Sequence, residues 1–162
     1  MKKSLLALAL SSLAFAGSVS QQVPVQINNT GGCAFQGLPA TIDLGTIPPS
    51  GYATSTGQYA TAPVSLNVAC TSGINYTVSV ASGYSSGSSY ILLSKSGTYI
   101  RLALYKDSAY TQKLSSANTT IATGTGSGSS QTITVYPRIE GCNSTSCSPG
   151  VYTATITLRI TY

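Results

Sequence analysis

The sequence predicts an all-β domain, a sandwich of immunoglobulin type, and three observations carry that prediction. The first is the final stretch, residues 151–162, which reads V-Y-T-A-T-I-T-L-R-I-T-Y. Tyr152, Ala154, Ile156, Leu158, Ile160 and Tyr162 share one parity and are mostly large and apolar, while Thr153, Thr155, Thr157, Arg159 and Thr161 take the other. Period-two alternation marks a strand buried on one face. The second is that the same alternation returns several times upstream between turn signals, and no segment holds a helical period of useful length. The third is composition: Thr, Ser, Gly, Tyr, Val and Ile dominate, with 16 Gly, 11 Tyr and no Trp or His.

The chain opens on a secretory leader. Lys2 and Lys3 are its charged start, residues 5–15 its apolar run, and Ala14-Phe15-Ala16 an A-x-A-like cleavage site. The run is too short to span a bilayer, so residues 1–16 are expected to be removed and residues 17–162 exported. Residues 17–30 follow, with Val19, Val23, Val25 and Ile27 on one parity and Pro24 on the other. A proline has no N–H to give a sheet and fits an edge or inserted strand. A turn-rich break at residues 28–32 separates this segment from Cys33.

Residues 41–47 predict a short strand stopped by Pro48-Pro49, and residues 50–61 a Gly/Ser/Thr/Tyr loop. Residues 63–70 and 74–81 alternate on either side of Thr71-Ser72-Gly73 and predict a hairpin, with Val64, Leu66, Val68 and Cys70, then Tyr76, Val78 and Val80, facing inward. Residues 90–93 and 98–106 predict further strands, the latter with Ile100, Leu102 and Leu104 inward. Residues 107–112 read as a turn, and residues 114–121 fit no single template. The G-T-G-S-G-S-S run at 124–130 lacks the following helix and Lys of a phosphate loop. A strand follows it instead, residues 131–139, with Ile133, Val135, Pro137 and Ile139 inward. About seven or eight strands at this spacing fit one immunoglobulin-type sandwich.

Charge and residue inventory exclude several functions. Without the leader, Lys95, Arg101, Lys106, Lys113, Arg138 and Arg159 face only Asp43, Asp107 and Glu140, and the basic residues are scattered. A nucleic-acid surface would cluster them. With no His there is no Ser-His-Asp or Cys-His arrangement, and the three carboxylates lie far apart in sequence. The chain is therefore predicted not to be an enzyme and to need no cofactor. A surface of Ser, Thr, Gly and Tyr with few charges suits a subunit that packs against its own copies.

Four cysteines in an exported chain predict disulfides, and four allow three pairings. Cys33 with Cys70 and Cys142 with Cys147 is the favoured set: the first closes a long loop and contributes roughly 4 kcal/mol, the second staples C-N-S-T-S-C for about 2 kcal/mol. A zinc site lacks both His and C-x-x-C spacing. Tyr52, Tyr59 and Tyr84 fall in expected loops and offer a sugar-binding or hydrophobic patch, against ordinary packing on the sandwich.

The arrangement resembles the spore coat protein U family, which includes subunits of archaic chaperone–usher pili of Gram-negative bacteria. V-P-V-Q-I-N-N-T-G-G-C (23–33), L-N-V-A-C-T-S-G-I-N-Y-T-V-S-V (66–80), I-R-L-A-L-Y-K-D-S-A-Y (100–110) and P-G-V-Y-T-A-T-I-T-L-R-I-T-Y (149–162) carry the likeness in order. Ala154 departs from it where Asp is common, and the Cys142 and Cys147 pair looks like an addition. The resemblance implies an incomplete immunoglobulin-like sandwich, residues 31–162, lacking its last strand. A periplasmic chaperone would fill the gap during export, and at the outer-membrane usher the residues 17–30 of the next copy would replace it. Val19, Val23, Val25 and Ile27 would be the donor side chains, and Ile156, Leu158, Ile160 and Tyr162 the acceptor groove and chaperone-binding strand. The partners implied are copies of the chain, the chaperone, the usher and a tip adhesin, at the cell surface, with no nucleic acid. A secreted adhesive or carbohydrate-binding module and a self-complemented coat protein are the alternatives.

Overall fold

The computed structural model describes residue 26 and residues 31–38, 41–47, 57–142 and 148–162. Among them are nine strands and no helix: β1 Cys33–Gln36, β2 Gln58–Ala60, β3 Val64–Cys70, β4 Asn75–Ser82, β5 Ile91–Lys95, β6 Thr98–Tyr105, β7 Thr120–Thr125, β8 Ser130–Cys142 and β9 Thr157–Thr161. They form two sheets. One has the order β1-β3-β8-β6-β5, with β2 also paired to β8; the other is β7-β4-β9. All the ladders are antiparallel, as hairpins and short crossovers allow.

The alternation sets the core. Leu66, Val68 and Cys70 from β3, Tyr76, Val78 and Val80 from β4, Ile100, Leu102 and Leu104 from β6, and Val135 and Ile139 from β8 are buried together with Ile91, Leu114 and Ile121. Each burial of this size contributes about 1.5–3 kcal/mol. β8 is longer than its sequence signal because it serves two partners on one side in succession, β3 through Ser130–Val135 pairings and β2 through Arg138, Ile139 and Glu140. Pro137 falls between those two pairings, and its carbonyl accepts from the Thr61 N–H at 3.3 Å and the Thr61 hydroxyl at 3.1 Å. That placement spares a ladder a missing donor.

The structure corrects several expectations. Residues 41–47 are not a strand; the Asp43 carboxylate takes the Gly45 N–H at 2.8 Å and turns the backbone out of extension. β2 lies inside the expected 50–61 loop, and β7 takes in Gly124 of the expected glycine loop. The final strand is shorter than its twelve-residue alternation: Thr153 exchanges backbone hydrogen bonds with Ser94 of β5 at 2.9 and 3.2 Å, so residues 151–156 cross from one sheet to the other and only β9 joins β4.

The outer face of the larger sheet carries a closed polar cluster. Glu140 accepts from Lys113 at 2.6 Å, from Arg138 at 2.7 Å and from the Tyr105 hydroxyl. Arg138 lies 4.9 Å and 5.0 Å from the Tyr105 and Tyr110 ring centroids, and Lys113 lies 4.2 Å from that of Tyr90. Burial pushes the Glu140 carboxyl up, but the hydrogen bonds from Lys113, Tyr105 and Arg138 outweigh it and bring it from 4.5 down to about 2. A depressed carboxyl stabilises the fold above its unfolded value and loses that contribution as pH falls through its folded value. Glu140→Gln is therefore expected to lower stability by about 2–3 kcal/mol at neutral pH, the two partly exposed cations having been discounted for screening. In urea titrations the gap between wild type and variant should close as pH falls from 4.5 towards 2.

An open apolar groove beside the last strand

β9 pairs β4 through Thr161 with Thr77, Ile160 with Val78, Arg159 with Ser79, Leu158 with Val80 and Thr157 with Ser82. Its other edge has no strand partner among the described residues. Along that edge runs a cavity of about 1280 Å³. Its floor is the inner face of the larger sheet, including Leu66, Leu102, Leu104, Val135 and Ile139. Ile156 and Leu158 form one wall, and Leu38 with residues 41–47, including Ile42, Leu44 and Ile47, form the other. Gly83 admits Ile156: with φ at 127° it takes a backbone shape that glycine tolerates, and a Cβ there would sit 2.6 Å from the Ile156 methyl.

Native interiors are close-packed, with few voids larger than a water molecule. An apolar trough of this size between two sheets, next to an edge with no strand partner among the described residues, leaves room for an extended segment. Backbone N–H and C=O groups on the free side of β9 are available to another extended chain, and the trough would take its alternate side chains. Asp43 is the one side chain among the described lining residues that is charged at neutral pH. An apolar segment loses nothing by entering it, whereas a charged one would be stranded.

The structure brings together part of the predicted groove set. Ile156 and Leu158 line the cavity. Ile160 packs against the core beyond its end. Tyr162 is 64 % exposed, its ring against Gly32. Val19, Val23, Val25 and Ile27 lie outside the described residues; Gln26, between the last two, is exposed. Sequence reasoning missed the second wall, although the apolar spacing of Ile42 and Leu44 was its signal. Cys33 and Cys70 are bonded to each other. Cys142 is also in a disulfide, while Cys147 lies outside the described residues. Of the three loop tyrosines, Tyr59 packs on the core from β2, the Tyr84 hydroxyl is buried with no hydrogen-bond partner among the described residues, and Tyr52 lies outside the described residues. Burial pushes the Tyr84 phenol up from its ordinary value.

Residues 19–159 match the family described as Spore Coat Protein U domain. The chain belongs to that family. Solved structures share its fold at low identity. A chain of the CsuC-CsuE chaperone–tip adhesion subunit pre-assembly complex from archaic chaperone-usher Csu pili of Acinetobacter baumannii matches with 16 % identity and a TM-score of 0.54, over 82 % of this chain and 40 % of that one. The P pilus rod subunit PapA matches with 13 % identity and a TM-score of 0.56, over 80 % of this chain and 98 % of PapA. A chaperone-usher pilus solved for the basis of rod uncoiling gives 13 % identity and 0.55, over 91 % and 99 %. This Spore Coat Protein U domain thus spans less than half of the Csu chain but nearly the full length of PapA and of the other pilus chain. Comparison with curated proteins returned no match. These neighbours share the chain's two-sheet, immunoglobulin-like fold.

Proposed function

We propose that the chain is a structural subunit of an extracellular pilus or fibre, polymerised head to tail when residues 17–30 of one copy fill the groove of the next. The observation that carries this reading is the apolar trough beside the free edge of β9. Family membership and the likeness to pilus subunits support it. The occupant is chosen by chemistry: Val19, Val23, Val25 and Ile27 present a row of apolar side chains at the spacing a sheet edge requires. Residues 31–162 form the domain that receives it.

An unfilled trough and edge would aggregate during export. A periplasmic chaperone lending a strand, and an outer-membrane usher at which the exchange takes place, are the partners this implies, with a tip adhesin at the fibre's end. The contact is heterologous, so it grows an open filament and not a closed ring. Electron microscopy of material sheared from cells carrying the chain is expected to show fibres, and an unheated SDS gel a ladder of this subunit. Monomer alone in both would remove the polymer reading and favour a self-complemented domain.

A further inference from the structure

In the proposed polymer, tension reaches each domain through the point where residues 17–30 join it, and that junction is unusually well fastened. The Gly32 N–H donates to the Thr71 hydroxyl at 3.1 Å, and the Thr71 N–H donates to the Gly32 carbonyl at 3.0 Å. Gly31 is pressed against Ile74, where a Cβ would sit 2.3 Å from the Ile74 side chain. Cys33, the first residue of β1, is bonded to Cys70, the last residue of β3. The turn that receives Gly32 is itself tied down: Gly73 N–H to the Gly126 carbonyl at 2.9 Å, Gly126 N–H to Ile74 at 2.7 Å and Gly128 N–H to Cys70 at 3.1 Å.

β1 has only four residues and stands at the sheet's edge. Pulled from its first residue, such a strand would peel from β3 one hydrogen bond at a time. The Cys33–Cys70 bond sits where peeling would begin. It passes the pull directly to β3, which is held by β8 along six register pairs. Tyr162, at the end of the chain that carries β9, lies beside Gly32. The strand that grips the next donor and the root of the subunit's own donor are thus neighbours, and the route for tension through the domain is short.

We infer that the Gly32–Thr71 and Cys33–Cys70 fastening is a mechanical clamp that stops a stretched fibre from unravelling its subunits from their N-terminal side. The inference rests on the donor-strand reading. Single fibres pulled in optical tweezers before and after reduction with dithiothreitol test it. Oxidised fibres should show no lengthening step within a subunit before the fibre parts or uncoils. Reduced fibres should gain steps approaching about 120 Å per subunit, the reach of the 37-residue separation between Cys33 and Cys70. A Cys142–Cys147 pair would release at most about 20 Å, so step length identifies the bond. Fibres whose force–extension curves are unchanged by reduction overturn the clamp and leave the polymer standing. Absence of fibres from the wild-type chain overturns both.

Discussion

Arginine at Val25 and Ile27 is expected to abolish the fibre while leaving the subunit exported. Four apolar donor side chains entering the trough contribute roughly 6–12 kcal/mol gross, reduced by the loss of freedom of an extended segment. Two guanidinium groups reverse that balance. Each would be buried against Leu66, Leu102, Val135 and Ile139 with Asp43, an exposed residue at the rim, as the only nearby carboxylate, at several kcal/mol apiece. The same logic applies from the other side. Leu158→Arg sets a charge in the wall of the groove and should block assembly as donor variants do, although its own donor remains intact. Mixing the two mutants would not restore long fibres, because each chain carries one damaged half. The readout is the unheated SDS ladder and fibre counts by electron microscopy, with soluble subunit measured in parallel.

The second large effect concerns the domain itself. Removing the Cys33–Cys70 bond by Cys33→Ser/Cys70→Ser is expected to lower stability by about 4 kcal/mol in denaturant titrations. Small domains are stable by about 5–15 kcal/mol in all. This one has an open core on one side, so the loss should lower the amount of exported subunit. The register places the two cysteines directly opposite each other in the β1–β3 ladder. A wild-type titration unaffected by reduction would show that the ladder alone holds the edge.

The sandwich was legible in the sequence wherever strands have a dry and a wet face. Leu66-Asn67-Val68 and Tyr76-Thr77-Val78 alternate because β3 and β4 turn one side to the core, and the pattern named their buried residues correctly. β2 was not legible: Gln58, Tyr59 and Ala60 are extended because β8 offers them an edge, a tertiary cause with no local signal. β1 was hidden for a similar reason, being four residues pinned by a disulfide and a neighbour. The end of the chain was over-read. Its alternation runs through Tyr152 to Tyr162, yet Thr153 answers to β5 and Ile156 to Gly83, so the pattern spans a crossover as well as a strand. For the groove, the sequence pointed to the right strand and to Ile156 and Leu158. It could not show that residues 41–47 close the other side, because the Asp43 turn removes them from any regular period.

The central claim is that the groove takes residues from another copy of the chain. The most direct measurement is a cysteine cross-link between the two halves, with Leu158→Cys in the wall and Val25→Cys or Ile27→Cys in the donor of the same chain, oxidised in assembled material and run on a denaturing gel without reductant. The account predicts a covalent ladder with one-subunit spacing that collapses to monomer on reduction. A cross-linked monomer with no ladder would contradict it, since the segment would then be filling its own domain's groove.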